Sequence, residues 1–264
     1  MDNRPIGLLD SGVGGLSVVK KVIAKLPQES TIFIGDNAHM PYGDRSDEEI
    51  IKLTKKSVQF LLQQDIKLLI IACNTATAVA MATVQAEIAP QVIGVIQSGG
   101  LAAARSSRNK KVAVVGTSAT VASKNYTKEI TFRDPAIQVE ELATPKLAPL
   151  VEAQKSPSEN DQIVKASLAP LIGKDFDTLV LGCTHYPLIR SSFQKAVGPD
   201  VKIIDPADQV AEYTSKVLAR DGLLSETPAT HRYYTTGDVE HFEKLARPFL
   251  GQADLTAEHV ETDD

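Results

Sequence analysis

Two cysteines stand at similar places in this chain. Cys73 closes the apolar run LLIIAC, Cys183 closes DTLVLGC, and a threonine follows each within two residues. A thiol at a strand end, where a helix begins or a charged partner lies near, can be shifted from a free pKa of about 8.5 toward neutrality and act as thiolate base or thiol acid. One thiol on each side of a carbon could take a proton from one face and return one to the other. Taken singly, either cysteine reads equally well as a small buried hydrophobe. The doubling is what favours chemistry, because one pair in a chain of 264 residues is no disulfide framework.

Other strand ends carry polar or ionisable groups: Asp10-Ser11, Asp36-Asn37, Asn74-Thr75 beside Cys73, Thr117-Ser118, and Thr184-His185 beside Cys183. A capping Ser, Thr, Asp or Asn explains any one of these with no substrate. His185 is placed to be the proton partner of Cys183, and Asp10 the partner of Cys73; alternatively His185 is a satisfied structural imidazole and Asp10 a helix cap. The turn Gly12-Val13-Gly14-Gly15 lets backbone approach a ligand closely. It fits neither G-x-G-x-x-G nor a G-K-[ST] phosphate loop, so a turn offering amides to a substrate carboxylate is expected rather than a nucleotide site. Five scattered histidines and two cysteines give no zinc spacing, so no metal is expected. No lysine stands at these strand ends to hold a phosphopyridoxal group.

The elements that must position these residues alternate in a βαβ rhythm. Strand-like runs at 5–10, 31–35, 68–73 and 92–96 are separated by helical patterns at 16–26, 47–64 and 75–88. A second series follows, with strands at 111–116, 137–142, 177–183 and 201–205 and a polar helical segment around 157–171. Near-continuous apolar strands imply parallel sheets covered on both faces, and two compact halves explain the length better than one wide sheet. The last third, with helical stretches at 206–221 and 239–250, could pack back on the first half. The acidic tail QADLTAEHVETDD reads as a solvated end.

A hydrophobic fraction of 43% and a charged fraction of 23% are those of a globular protein. With 28 basic and 33 acidic residues and a net charge of -5, no basic block could grip nucleic acid. No run approaches the roughly 20 apolar residues of a membrane helix, and the N-terminus lacks the pattern of a secretory signal, so a cytoplasmic protein is expected.

The blocks DSGVGGLSV (10–18), PYG (41–43), ACNTATA (72–78), VGTSAT (115–120) and GCTHYPL (182–188), in this order, resemble the glutamate racemases of the aspartate/glutamate racemase superfamily. That resemblance implies two α/β domains with mainly parallel sheets flanked by helices, related by a pseudo-twofold, with the active site between them and no cofactor. The domains implied are 1–97 with 208–264, carrying Cys73, and 98–207, carrying Cys183. It implies that Cys73 deprotonates D-glutamate and Cys183 L-glutamate, assisted by Asp10 and His185, and that Asp10, Ser11, Tyr42, Gly43, Asn74, Thr75, Thr117 and Thr184 hold the substrate. Glu152, in PLVE, matches a further acidic position, and a homodimer is among the assemblies such proteins form. The product D-glutamate would feed peptidoglycan synthesis. Two stretches depart from the family pattern: GDNAHMPYG lacks the usual Thr and Arg before PYG, and VIQSGG replaces a Pro and Gly-small pattern. A sister reaction on aspartate, a hydantoin or a malonate, and a non-catalytic module binding acidic amino acids, are the competing readings.

Overall fold

The computed structural model describes residues 1–262 and contains two parallel sheets with helices on both faces. In chain order the elements are β1 (Ile6–Asp10), α1 (Leu16–Lys25), β2 (Thr31–Gly35), α2 (Asp47–Gln63), β3 (Leu68–Ile71), α3 (Asn74–Glu87), β4 (Gln91–Gly94), α4 (Val95–Ser106), β5 (Lys111–Gly116), α5 (Ser118–Ser123), α6 (Asn125–Arg133), β6 (Gln138–Ala143), α7 (Leu147–Glu152), α8 (Pro157–Ser167), β7 (Thr178–Gly182), α9 (Arg190–Val197), β8 (Lys202–Ile204), α10 (Pro206–Arg220), β9 (His231–Thr235), α11 (Val239–Leu250) and β10 (Glu258–His259). The first sheet runs β10-β9-β2-β1-β3-β4 and the second β6-β5-β7-β8, with every pairing parallel.

The central strands are buried along their whole length, as a sheet covered on both faces requires: IGLLD, TIFIG, LLII and TLVLG have no exposed position. Helices start where side chains take up free amides. Ser46 accepts from the Glu49 amide, Thr117 from Thr120, and Asp205 from Ala207. The run at 92–96 behaves differently from its sequence pattern. The strand ends at Gly94, and Val95 already belongs to α4. An apolar run that passes from a buried strand into a buried helix shows no break in hydrophobicity, so composition alone cannot mark the junction.

The last third does return to the first sheet. β9 pairs along β2 from Thr31–His231 to Gly35–Thr235, and the short β10 adds to β9. The tail is therefore more than a solvated end, since Leu255 is buried and Glu258–His259 form a strand; positions 263–264 of that tail lie outside the described residues. No helix among the described residues is long and apolar enough to cross a membrane.

At the amino ends of the strands, away from both cysteines, a buried ion pair ties the N-terminal segment and the connection between α10 and β9 to the sheet. Lys67 Nζ lies 2.6 Å from Glu29 Oε2 and donates to the carbonyls of Asp2 and Leu223, while Glu29 Oε1 accepts from the Ser225 amide. Both side chains are essentially solvent-free. Removing one partner of such a pair leaves an uncompensated buried charge, at a cost of about 3–5 kcal/mol, whereas replacing both by apolar or neutral groups costs far less. Lys67→Met is expected to lose stability in that range in urea unfolding, with Lys67→Met/Glu29→Gln recovering part of it. Equal stability of the single variant and the wild type would refute this account.

Candidate active site

Each cysteine stands just beyond a central strand, Cys73 two positions after the end of β3 and Cys183 directly after the end of β7. Cys73 follows β3 and caps α3, its sulfur accepting from the Ala76 amide at 3.4 Å and meeting the Ser11 hydroxyl at 3.5 Å. Burial pushes its thiol up to about 12, with the nearby charge of Asp10 acting in the same direction and the Ser11 and Ala76 contacts opposing. Asp10, at the end of β1, is itself fully buried and pushed up to about 6, because desolvation outweighs the pull of His185 and of the hydrogen bonds it accepts. Those come from the Gly15 amide at 2.8 Å, from the amide of Gly12, and from the Thr184 hydroxyl at 3.3 Å.

Around Cys183 the field has the opposite sign. His185 Nδ1 lies 3.7 Å from the Cys183 sulfur, and His185 Nε2 lies 2.7 Å from Glu152 Oε1 at the end of α7. Burial opposes the imidazolium, but hydrogen bonds to Cys183 and Glu152 together with their charges override it and hold the His185 pKa well above 6.5. The direct contact between residues two apart in sequence exists because the chain leaves β7 into a tight turn instead of continuing as strand.

The two thiols line one cavity of about 220 Å³. Its walls include Ser11, Tyr42, Gly43, Asn74, Thr75, Thr117, Glu152, Thr184 and His185, so every sequence-predicted site residue lies on it except Asp10, which is buried behind it and hydrogen-bonded to Thr184. Met40, Pro41, Ala148 and Pro149 close the remainder with apolar surface. Larger pockets of about 650, 710 and 570 Å³ occur elsewhere, and one of about 290 Å³ adjoins the site at Glu152 and His185, but none of them contains a cysteine, so chemistry and not size marks the site. The walls come from both sheets. Thr75 after β3 and Thr117 after β5 share a hydroxyl hydrogen bond of 2.9 Å across them.

Glycines permit that closeness. A Cβ on Gly14 would come within 2.5 Å of Thr184 Oγ1 and 2.8 Å of His185 Nδ1, and one on Gly43 within 2.7 Å of Thr117 Cβ. The glycine turn differs from its expected use. The amides of Gly12 and Gly15 go to the Asp10 carboxylate, and none of the four residues 12–15 lines the cavity. Among the described residues, no group of three or more His, Cys, Asp or Glu is arranged to hold a metal.

Residues 6–214 match the model of the Asp/Glu/Hydantoin racemase family. The chain belongs to that family. It is 66% identical to the glutamate racemase of Lactobacillus acidophilus, with all of both chains covered. Its fold is similar to the crystal structure of a glutamate racemase from Bacillus anthracis, at a TM-score of 0.96 and 41% identity over 99% of this chain and 98% of that one. It is also similar to that of the Francisella tularensis glutamate racemase in complex with D-glutamate, at 0.92 and 35% identity over 100% and 99%.

Within this racemase-family fold, two residues that sequence reading did not assign to the site support its walls. Asp36, noted only as a polar strand end, accepts from Tyr42 Oη at 2.5 Å, and Tyr126 donates to Asn74. A tyrosine in a helix of apolar period gives no sequence signal distinguishing it from core, so Tyr126 could not have been found that way.

The Asp10 carboxyl titrates above its unfolded value of 3.8, so the fold favours its neutral form. That preference is fully present below pH 3.8 and is lost as the pH rises through about 6, where ionised Asp10 costs at most roughly 3 kcal/mol at 1.36 kcal/mol per pH unit. Asp10→Asn, which keeps an oxygen for the Gly15 amide, is expected to gain stability relative to the wild type as pH is raised from about 4 to about 7. Paired thermal melts check this, and a melting-temperature difference that stays constant over the range would refute it.

Proposed function

We propose that this chain interconverts L- and D-glutamate without a cofactor, using Cys73 and Cys183 as the two acid–base groups. The observation that carries the reading is the single cavity with a thiol from each sheet in its wall, hydrogen-bonded or charge-paired on both sides. The glutamate racemases of Lactobacillus acidophilus and Francisella tularensis, similar along the whole chain, support the choice of substrate.

In the L-to-D direction Cys183 as thiolate takes the α-proton, and the thiol of Cys73 gives its proton to the opposite face of the resulting carbanion. The reverse direction exchanges the roles. One proton leaves the substrate and one returns, so the enzyme ends with its charge on the other sulfur and must return a proton before the next turnover. The two halves of this cycle are not equivalent. When Cys183 carries the charge, the His185 imidazolium faces it; when Cys73 carries it, only the Ser11 hydroxyl and the Ala76 amide do, and Asp10 opposes. Asp10 and His185 are assigned as the partners that move protons to and from the respective sulfurs.

An amino-acid α-proton is very weakly acidic, and with no electron sink the carbanion must be stabilised by preorganised donors in a site closed to water. Ser11, Tyr42, Gly43, Asn74, Thr75, Thr117, Thr184 and Glu152 are assigned to holding the substrate's two carboxylates and its ammonium, with Asp10 close behind. Met40, Pro41, Ala148 and Pro149 exclude water. The domains that supply these walls are proposed as 1–97 with 208–264 and 98–207, consistent with β9 and β10 joining the first sheet. A cytoplasmic enzyme supplying D-glutamate for peptidoglycan synthesis fits the requirement for two free thiols, which a reducing compartment preserves.

The purified protein is expected to exchange the α-hydrogen of either glutamate enantiomer for solvent deuterium with no addition. Cys73→Ser and Cys183→Ser should each lower racemisation by at least about 100-fold, the usual range for losing an acid–base group, while binding D-glutamate within a few-fold of the wild type. Activity that required pyridoxal phosphate, turnover of aspartate in preference to glutamate, or unchanged turnover in both serine variants would overturn the reading.

A further inference from the structure

Tyr126 lies in α6, outside the cavity, yet it contacts the chain beside both thiols. Its ring is fully buried among Ile96, Ile130, Val180 and Ile204. Space for that ring is made by two glycines: a Cβ on Gly182, the residue before Cys183, would stand 3.2 Å from Tyr126 Cε2, and one on Gly99 would stand 3.0 Å from Cε1 and 3.1 Å from the hydroxyl oxygen. Glycine inside α4 sacrifices helix propensity, so its presence at 99 points to a packing demand, which the ring supplies. A buried phenol in such apolar surroundings needs a partner for its hydroxyl. Its partner is Asn74 Oδ1, at 2.7 Å, and Asn74 immediately follows Cys73 and lines the cavity.

We propose that Tyr126 is a positioning residue: reaching from the Cys183 half to the Cys73 half, it fixes the amide of Asn74 so that the Asn74 NH2, and not its carbonyl, is the group offered to a substrate carboxylate. An asparagine amide presents two chemically opposite ends, and free rotation would let a carbonyl oxygen face the anion for part of the time. By donating to Oδ1, the phenol occupies the acceptor and leaves the donor for the cavity. The same ring braces the backbone of Gly182, so the amide and the Cys183 strand end are held in one register. This inference rests on the glutamate reading given above.

Tyr126→Phe keeps the ring and removes only the hydroxyl. A fixed amide donor acts on substrate and transition state alike, so the expected result is a KM for both glutamate enantiomers raised several-fold to about tenfold, with kcat within about threefold of the wild type. A purely structural role would instead reduce the active fraction, lowering kcat and leaving KM unchanged. The effect must also act through Asn74. Asn74→Ala should raise KM, and adding Tyr126→Phe to it should raise KM no further. Titration calorimetry with D-glutamate supplies the same comparison as a dissociation constant. An unchanged KM in Tyr126→Phe, a fall confined to kcat, or an equal rise with and without Asn74 would each overturn the proposal while leaving the racemase reading intact. A wild-type protein that neither turns over nor binds glutamate would instead end that reading, and this one with it.

Discussion

A planar carbanion has two faces, and groups carried on one edge of one sheet approach it from one side only. The duplication in this chain meets that constraint: two parallel sheets direct the carboxyl ends of β3 and β7 at one cavity, and each contributes a cysteine within two residues of its last strand position. Parallel sheets suit the task because all their carboxyl ends lie on one edge, where helix N-termini and loop amides converge. Opposition of the sheets then converts a single-sided feature into a two-sided site. The cost is close approach of backbone to backbone and side chain, which Gly14 and Gly43 make possible where a Cβ would collide with Thr184, His185 or Thr117.

Opposition need not mean equivalence. One sulfur faces an imidazolium backed by Glu152, and the other, likewise buried, lies near a carboxyl that burial holds above its ordinary range. A site that ran in both directions with identical surroundings would need a cation on each side, and two buried cations flanking a small amino acid would repel its ammonium. Here a positive partner lies on one side, and beside the other sulfur lie a hydroxyl, a helix N-terminal amide and a buried carboxyl pushed up to about 6.

Much of this was legible in the sequence because fully buried parallel strands are written as short unbroken apolar runs. β1, β2, β3, β5 and β7 coincide with such runs to within a residue or two, and of the polar residues at their carboxyl ends Ser11, Asn74, Thr75, Thr117, Thr184 and His185 line the cavity and Asp10 and Asp36 back it, whereas Asn37 and Ser118 do not line it. What stayed hidden depended on partners distant in sequence. β9 reads as HRYYT, half polar, and becomes a strand because β2 offers an unpaired edge; β10 exists only because β9 does. The glycine turn was visible, but the target of its amides was not, since nothing in the string shows Asp10 folding back under Gly12 and Gly15. The contact between His185 and Cys183 likewise required the chain to turn at once after β7.

The two stretches at 36–40 and 97–100, read in the sequence as departures from the family pattern, acquire a physical meaning from their neighbours. Asn37 and His39 do not line the cavity; the Asn37 side chain accepts from Thr235, and His39 Nδ1 lies 2.8 Å from Asp36 Oδ1. Asp36 in turn accepts from Thr236 at 2.6 Å and from the Tyr42 hydroxyl at 2.5 Å. Asn37 and His39 thus belong to a network joining the Tyr42 wall to the end of β9, while Met40 in the same stretch lies in the cavity wall itself. In the second stretch Gly99 leaves room for Tyr126, whose hydroxyl reaches Asn74. Asn37, His39 and Gly99 therefore stand behind the cavity wall, where they bear on how firmly Tyr42 and Asn74 are held without themselves facing the cavity.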